Sequence, residues 1–179
     1  MKTASAFSTD PDDAISASAA AEILLRALDG LPDIVMVYAT EHHASQAMMD
    51  ALSAALPGVA LIGGTSCGGV MTDKGFHSSP SGALGLFGMR DAAGAYGVGF
   101  APVGDDAKAA GAAAMAAALA DAGREFECPT LVWCCQPPGS EERVLSGIEA
   151  VVGERTPIIG GSSADETIAG AWRQFAAGR

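Results

Sequence analysis

The stretch LIGGTSCGGV, from Leu61 to Val70, ends an apolar run with a cluster of glycines and hydroxyl-bearing residues. The apolar run itself, VALIGG, is typical of a buried strand in a parallel sheet. Residues 64–68 of the stretch, GTSCG, also match G-x-S-x-G, the pattern of a hydrolase nucleophile elbow. The stretch is therefore compatible with a catalytic serine, a phosphate cradle, a ligand-sensing loop or a tight turn after a buried strand.

The residues before this stretch predict a strand–helix–strand unit. DIVMVYA (33–39) is a continuous apolar run, HHASQAMMDALSAAL (42–56) has helical periodicity, and VALIGG (59–64) is a second apolar run. Two strands joined by a helix pair in parallel with a right-handed crossover. An earlier helix is predicted from a cap at Asp10 to its end at Gly30.

The same order of strand, helix and strand recurs at an offset of 97 residues, which is the separation of Ile62 and Ile159. IGGTS (62–66) falls on IGGSS (159–163), and Val35 falls on Val132. The helix between the strands keeps one apolar face in both copies. The matched positions of that face are Ala47, Met48, Ala51, Ala54 and Ala55 with Val144, Leu145, Ile148, Val151 and Val152. We interpret the chain as a duplication whose two glycine loops are related by a pseudo-twofold axis.

The predicted fold is α/β, with a mixed sheet and flanking helices, built from two helix–strand–helix–strand–hairpin units within one domain over 1–179. Copy one covers about 10–103, and copy two, which begins with an alanine-rich helix, covers about 105–179. The hairpin of copy one is ALGLFGMRDAAGAYGVGFAPV (83–103). Its counterpart would begin where the chain stops, so the second copy is expected to be truncated. The terminal AWRQFAAGR (171–179) would then be a leftover strand with an exposed edge.

Composition excludes several classes of function. Ten basic and 21 acidic residues give a net charge of −11, which argues against nucleic acid or an anionic membrane as the partner. No apolar run is long enough for a transmembrane helix, and the N-terminus lacks the apolar centre of a secretory signal. The four cysteines do not have zinc-ribbon spacing, which favours buried thiols in a reducing cytoplasm. A cytoplasmic protein is therefore expected.

The context of the opening motif disfavours catalysis. A nucleophile elbow needs a helix after the serine, but GGVMTDKG (68–75) is glycine-rich and strand-like. The later histidine is His77, which does not follow an acid in the order of that family. A phosphate loop would need a lysine and a helix N-terminus after the glycines. Cys67 has no evident base that would activate it, so a small buried thiol is favoured.

Glu41-His42-His43 lies where the first strand gives way to its helix. Ligands of open α/β sheets gather at this carboxyl edge. Three roles remain open for these histidines: a pair of metal ligands, a surface position at the helix N-terminus, or a helix cap at His43, which corresponds to Ser140 in the second copy.

Both glycine loops offer main-chain N–H groups and hydroxyls suited to a small polar ligand such as a carboxylate. The alternative is that the glycines allow close strand packing and positive φ. The candidate ligand-binding residues are His43, Gly63, Gly64, Thr65, Ser66, Gly160, Gly161, Ser162 and Ser163.

Four segments together resemble the N-terminal FIST domain over essentially the whole chain. They are DIVMVYATEHHA, LIGGTSCGGVMTDKG, AKAAGAAAMAAALADAG and PTLVWCCQPPGSEERVLSGIEAVVGERTPIIGGSSADE. The resemblance implies a cytoplasmic sensory domain for small ligands such as amino acids. Bacterial members are linked to histidine kinases, cyclic-di-GMP enzymes and chemoreceptors, and eukaryotic members are joined to F-box proteins. A similar branch binds haem and senses nitric oxide.

Two departures from the family pattern stand out. Gly69 and Val70 occupy a region where the family often has a polar or acidic residue, and the C-terminal FIST domain that normally follows in the same chain is absent from this sequence.

We predict a bacterial, non-catalytic sensory domain without a resident cofactor or metal, in which ligand contacts bias the packing of the two halves. The alternatives are a haem-based nitric oxide sensor, with His43 or His77 as the axial ligand, and a serine hydrolase that uses Ser66.

Overall fold

The computed structural model describes residues 1–177, which form two compact units. The first unit contains Met1–Gly94 and the segment that begins at Ala164, and the second contains Ala95–Ser163. Each unit combines helices with a parallel strand pair. The predicted α/β class with a mixed sheet is confirmed.

The first unit is built on a five-stranded sheet with two helices and a small hairpin. Its elements are β1 (Lys2–Ser8), α1 (Asp13–Leu28), β2 (Ile34–Ala39), a 3-10 turn (Glu41–His43), α2 (Gln46–Ala55), β3 (Ala60–Thr65), β4 (Val70–Thr72), β5 (Gly75–His77), β6 (Leu84–Arg90) and β9 (Gln174–Ala177). The strand order of the sheet is β1-β6-β2-β3-β9, and β4 and β5 form the separate hairpin. In the sheet β2 and β3 are parallel, while the other pairings are antiparallel.

Alternation along the strands decides where the first core lies. Val35, Val37 and Ala39 share one face of β2 and pack into an apolar cluster with both helices. The helix residues at the centre of this cluster, Leu24 on α1 and Leu52 on α2, are fully buried. The core therefore holds both helices against the strands whose ends form the site described below.

The N-cap of helix α1 lies two residues later than the cap predicted from the sequence. The Asp12 carboxylate, not that of Asp10, accepts a hydrogen bond from the Ile15 N–H at 2.9 Å. Asp10 instead accepts from the Asp12 N–H and shapes the turn that leads into the helix. The helix ends as predicted near Gly30, with Asp29 in the left-handed region at φ 60°.

The second unit contains a shorter sheet of two parallel strands. Its elements are α3 (Ala107–Asp121), β7 (Val132–Gln136), α4 (Glu141–Val152) and β8 (Ile158–Ser162). Two close helix contacts require glycine, because a Cβ at Gly111 would lie 2.3 Å from the Val144 carbonyl oxygen and one at Gly147 would lie 2.1 Å from that of Lys108. The two helices thus approach at backbone distance over their own apolar cluster.

The two parallel pairs share one register. Adding 97 to each residue number of the β2–β3 pairing from Val35 onward reproduces the β7–β8 pairing. The corresponding pairs are Val35↔Leu61 and Val132↔Ile158, Val37↔Gly63 and Cys134↔Gly160, and Ala39↔Thr65 and Gln136↔Ser162. The duplication and the single-domain boundaries stay predictions, and this register is the structural observation that favours the duplication.

The hairpin predicted over 83–103 does not form. Its first half is β6, but residues 95–103 are not a strand. Gly97 and Gly99 lie against α3, where a Cβ would come within 2.1 Å of the carbonyl oxygens of Ala118 and Ala114. These glycines therefore serve a close approach to a helix rather than a sheet.

Strands at both ends of the described chain complete the first sheet. β1 was not predicted, although its register with β6 extends from Lys2↔Arg90 to Ser8↔Leu84. The expected terminal strand is present as β9, at the edge of the sheet and antiparallel to β3. The last two residues of the predicted segment, 178 and 179, lie outside the described residues. Within residues 1–177, no helix has the length and apolarity needed to span a bilayer.

Candidate ligand-binding cleft

A cleft of about 280 Å³ opens in the first unit where β2 ends. Glu41 and His42, in the 3-10 turn directly after β2, form one part of its lining together with Ala44. Ala171 and Arg173, from the residues directly before β9, form the rest. The cleft thus lies at the carboxyl edge of a parallel pair, the place where open α/β sheets bind ligands.

Thr65, the last residue of β3, holds Arg173 at the cleft. The Thr65 N–H donates to the Arg173 carbonyl, and the Arg173 N–H donates to Thr65 Oγ1, both at 2.9 Å. Thr65 is 2% exposed, so the Thr65 end of this reciprocal pair is buried. Since the two hydrogen bonds fix the main chain of Arg173, they also fix the point from which its side chain extends toward the cleft.

Residues 164–173, which we call the strap, are tied to both loops of the carboxyl edge. The Glu166 N–H donates to Glu41 Oε2 at 3.1 Å, and Glu166 Oε1 accepts from the Gly68 N–H at 3.3 Å. The Ala164 N–H donates to the Thr65 carbonyl at 2.9 Å. The strap therefore connects the turn after β2 with the glycine loop after β3.

Asp165 shapes the strap from within. Its carboxylate accepts from the Ala171 N–H at 2.8 Å and from the Ile168 N–H at 3.0 Å. Donation from Ala171 above all, with further main-chain donors, lowers the pKa of Asp165 below its ordinary value. The ionised carboxylate thus closes the loop that delivers Ala171 and Arg173 to the cleft.

Opposite charges line the cleft without neutralising each other. Among the ion pairs of the described residues, none joins Glu41 to Arg173. Arg173 Nη1 donates to the carbonyls of Ala171 and Trp172 at 2.9 Å each. A guanidinium has five N–H donors, so those on Nε and Nη2 remain beyond these two bonds. The cleft presents a carboxylate and a guanidinium to whatever enters it.

The two histidines singled out from the sequence do not line the cleft. His43 is fully buried, and its Nδ1 lies 2.8 Å from Asp13 Oδ1. His77 lies 2.8 Å through Nε2 from Thr72 Oγ1, and its ring stacks on Phe7 with the centroids 3.4 Å apart. Axial ligation of haem needs an imidazole nitrogen that faces a ligand cavity. His43 and His77 therefore do not fit the role of an axial haem ligand at this cleft, and the histidine that lines it is His42, the neighbour of His43.

The first glycine loop is mostly strand. Gly63 and Gly64 are buried inside β3, and a Cβ at Gly63 would lie 1.7 Å from the Val37 carbonyl oxygen. Close strand packing explains this glycine, as the alternative interpretation of the sequence held. Ser66 is half-buried, and its N–H donates to the Ala39 carbonyl at 2.8 Å. Of this loop, Thr65 is the residue that the structure brings into contact with the cleft, through Arg173.

The second glycine loop does not belong to this cleft. Gly160, Gly161 and Ser162 are exposed residues of β8, and the Ser162 hydroxyl donates to Glu141 Oε1 at 2.7 Å. Ser163 is buried, with its hydroxyl 3.4 Å from Cys135 Sγ. Three of the four predicted residues thus lie in strand β8 of the second unit, and Ser163 directly follows it.

The structure also bears on the nucleophile hypotheses. After Ser66 the chain turns into β4 and not into a helix, so the elbow context is absent. Burial, with a smaller contribution from the neighbouring Cys135, raises the pKa of Cys134 to about 11. Cys67 and Cys128 are exposed, which corrects the expectation of buried thiols for these two. No cluster of three or more potential metal ligands occurs in residues 1–177.

Sequence reasoning missed Arg173 and Glu166 as site residues. Both lie about a hundred residues from their partners, Thr65 and Gly68, so no local spacing connects them. The one available signal was the acidic residue Glu166 directly after the IGGSSAD repeat of the glycine motif.

One comparison with known proteins identifies a family for most of the chain. A family model described as the FIST N domain matches residues 33–179. This match covers most of the chain, including the turn after β2, the glycine loop after β3 and the strap. No curated protein matches the chain.

Proposed function

Because the chain belongs to the FIST family, a family of sensory domains, we propose that it is a non-catalytic sensory domain that binds an amino acid or a similar small polar molecule. The cleft at the end of β2 is the proposed site. The observation that supports it most directly is the unpaired juxtaposition of Glu41 and Arg173 in one lining. Arg173 would take the ligand carboxylate, and Glu41 would take the ammonium group.

The glycine-rich strand end serves this site by positioning. Thr65 holds the main chain of Arg173, and Gly63 lets β3 lie close enough to β2 for both strand ends to meet at the cleft. His43 ties the turn to α1 through Asp13, and Ser66 extends the pairing of β2 and β3 by its hydrogen bond to Ala39. Gly160–Ser163 would form the corresponding strand end in the second unit. A direct ligand contact by Ser162 or Ser163 stays a prediction.

The same proposal extends to location and partners. We propose a cytoplasmic, bacterial signalling role in which a histidine kinase or a cyclic-di-GMP enzyme responds to ligand occupancy. A C-terminal FIST domain would complete the sensory module. Nucleic acid and membrane are not proposed as partners, since the net charge of −11 repels nucleic acid and anionic membrane surfaces.

A ligand panel tests the proposal. Purified protein is titrated calorimetrically with glycine and the other common amino acids, and also with acetate and methylamine, which each carry one of the two charges. Amino acids should bind, while the two single-charge compounds should bind at least tenfold more weakly, because each loses one charge-assisted hydrogen bond. If no amino acid binds, the proposed ligand class is wrong.

Charge-removing variants assign the binding to the cleft. We expect Glu41→Gln and Arg173→Gln each to weaken amino-acid binding by roughly 10- to 100-fold. Glu154→Gln and Arg155→Gln are the matched controls, because both residues are exposed in the second unit. Wild-type affinity in both cleft variants would move the site elsewhere.

A further inference from the structure

The 3-10 turn that follows β2 has two sides. Glu41 and His42 line the cleft, whereas His43, the next residue, is fully buried. The His43 ring reaches α1, where Asp13 is the first helical residue. Three consecutive residues thus connect the proposed ligand site to a helix of the core.

The main chain of this turn is held by hydrogen bonds to its immediate neighbours, one of them from the Ser45 N–H to the His43 carbonyl at 2.8 Å. His43 N–H donates to the Thr40 carbonyl at 3.0 Å, and Ala44 N–H donates to that of Glu41 at 3.2 Å. Thr40 precedes the turn but gives it no side-chain cap, and its hydroxyl accepts from the Ala83 N–H instead. Turns of this type have poorer hydrogen-bond geometry than an α-helix and need tertiary contacts to stay in place. Two side chains therefore tie the turn to the rest of the unit: His43, which reaches α1, and Glu41, which accepts from the strap.

The contact of His43 with α1 has a defined direction. An ionised carboxylate only accepts, so the 2.8 Å contact makes His43 Nδ1 the donor and Asp13 Oδ1 the acceptor. His43 Nε2 is buried and has no hydrogen-bond partner among the described residues, and the same holds for Ser16 Oγ on α1. The bond to Asp13 is therefore the one side-chain hydrogen bond that orients this buried ring among the described residues.

We propose that His43 and Asp13 are positioning residues for the cleft: their buried hydrogen bond sets the turn so that Glu41 and His42 face the ligand, and it couples cleft occupancy to the first turn of α1. This inference rests on the proposed function for its ligand, but the positioning itself has a test of its own. By linkage, a ligand that needs this orientation of the turn also strengthens the His43–Asp13 bond.

Matched variants on α1 separate positioning from helix stability. Asp13→Ala removes the bond to His43, and Asp12→Ala removes the helix cap one residue earlier without touching His43. Both should lower the thermal midpoint. Asp13→Ala alone should weaken glycine binding, by roughly tenfold, and Asp13→Asn, which keeps an acceptor oxygen, should restore most of it. Equal losses of affinity in Asp13→Ala and Asp12→Ala, or no loss in either, would overturn the proposal.

Amide hydrogen exchange measures the positioning without any ligand. In Asp13→Ala the amides of His43 and Ala44 should exchange roughly tenfold faster than in Asp12→Ala, while the amide of Leu56 at the end of α2 should not change. The imidazole nitrogen spectrum of His43 should also lose the signature of a protonated Nδ1. If the wild type binds no amino acid but this exchange difference is present, the proposed function fails and the positioning stands. If the difference is absent, the positioning fails whatever the ligand.

Discussion

Strands β3 and β8 carry nearly the same letters, IGGTS and IGGSS, yet they occupy different environments. β3 is buried along almost its whole length, because β9 pairs with its outer edge and places Phe175 opposite Gly63. In β8 the residues after Ile158 are exposed, including Ile159 at 44%. The same motif is thus a core strand in one unit and a surface strand in the other.

The comparison separates the properties that come from the motif itself from those that come from the strap and β9, which cover β3 in the first unit only. In both units the middle glycine faces the carbonyl oxygen of the parallel neighbour, Val37 for Gly63 and Cys134 for Gly160. That constraint comes with the strand pairing and needs nothing else. The polar cleft, in contrast, depends on the strap and β9, a segment that covers β3 from more than a hundred residues away.

The largest expected effect on stability comes from replacing Gly63 with alanine, compared with the same substitution at Gly160. A Cβ at Gly63 would lie 1.7 Å from Val37 O inside a covered strand, so Gly63→Ala should destabilise the first unit by about 4 kcal/mol or more. At Gly160 the same overlap, 1.8 Å from Cys134 O, is met by an exposed strand that can move, and we expect a loss of about 2 kcal/mol. Gly161→Ala, with nothing within 4 Å, is the control and should be neutral within about 0.5 kcal/mol.

The two tryptophans make this measurement specific to each unit. Trp172 belongs to the first unit and Trp133 to the second, so denaturation followed by fluorescence in Trp133→Phe and Trp172→Phe backgrounds reports each unit separately. Gly63→Ala should shift the Trp172 transition, and Gly160→Ala should shift that of Trp133. Equal losses at the two glycines would show that the cover of β3 adds nothing to the constraint.

The second expected effect concerns the cover itself. Phe175 is 6% exposed and belongs to the core of the first unit, so Phe175→Ala should cost about 3 kcal/mol. Phe126, at 99% exposed, provides the matched control, since Phe126→Ala removes the same atoms without opening a cavity. Chemical denaturation of the two variants checks this. A loss below about 1 kcal/mol for Phe175→Ala would mean that β9 covers β3 without stabilising it.

Local patterns in the sequence predicted the helices and strands of both parallel pairs and the terminal strand β9, but not the contacts between distant residues. Apolar runs and helical spacing located β2, α2 and β3 and their counterparts, because local periodicity reports which face of an element is buried. β1 was missed, since its residues, KTASAFS, alternate too weakly to signal a strand before pairing with β6. Gly97 and Gly99 were assigned to a hairpin, because a glycine that faces a helix and a glycine at a strand bend look alike in sequence. The strap contacts join residues that no spacing rule connects.

The smallest expected effect compares the residues that end the two strands, Thr65 and Ser162. Thr65→Ala leaves the Arg173 N–H without its buried hydroxyl partner, so it should cost about 1–2 kcal/mol, and Thr65→Ser should restore most of this. Ser162→Ala should leave the unfolding midpoint unchanged, because the residue is exposed. Donation from the Ser162 hydroxyl is the main cause that lowers the pKa of Glu141, and Ser162→Ala should therefore raise that pKa toward its ordinary value, as followed by carboxyl NMR titration. If Thr65→Ala is as silent as Ser162→Ala, the strap is held by its other contacts, and Thr65 does not position Arg173.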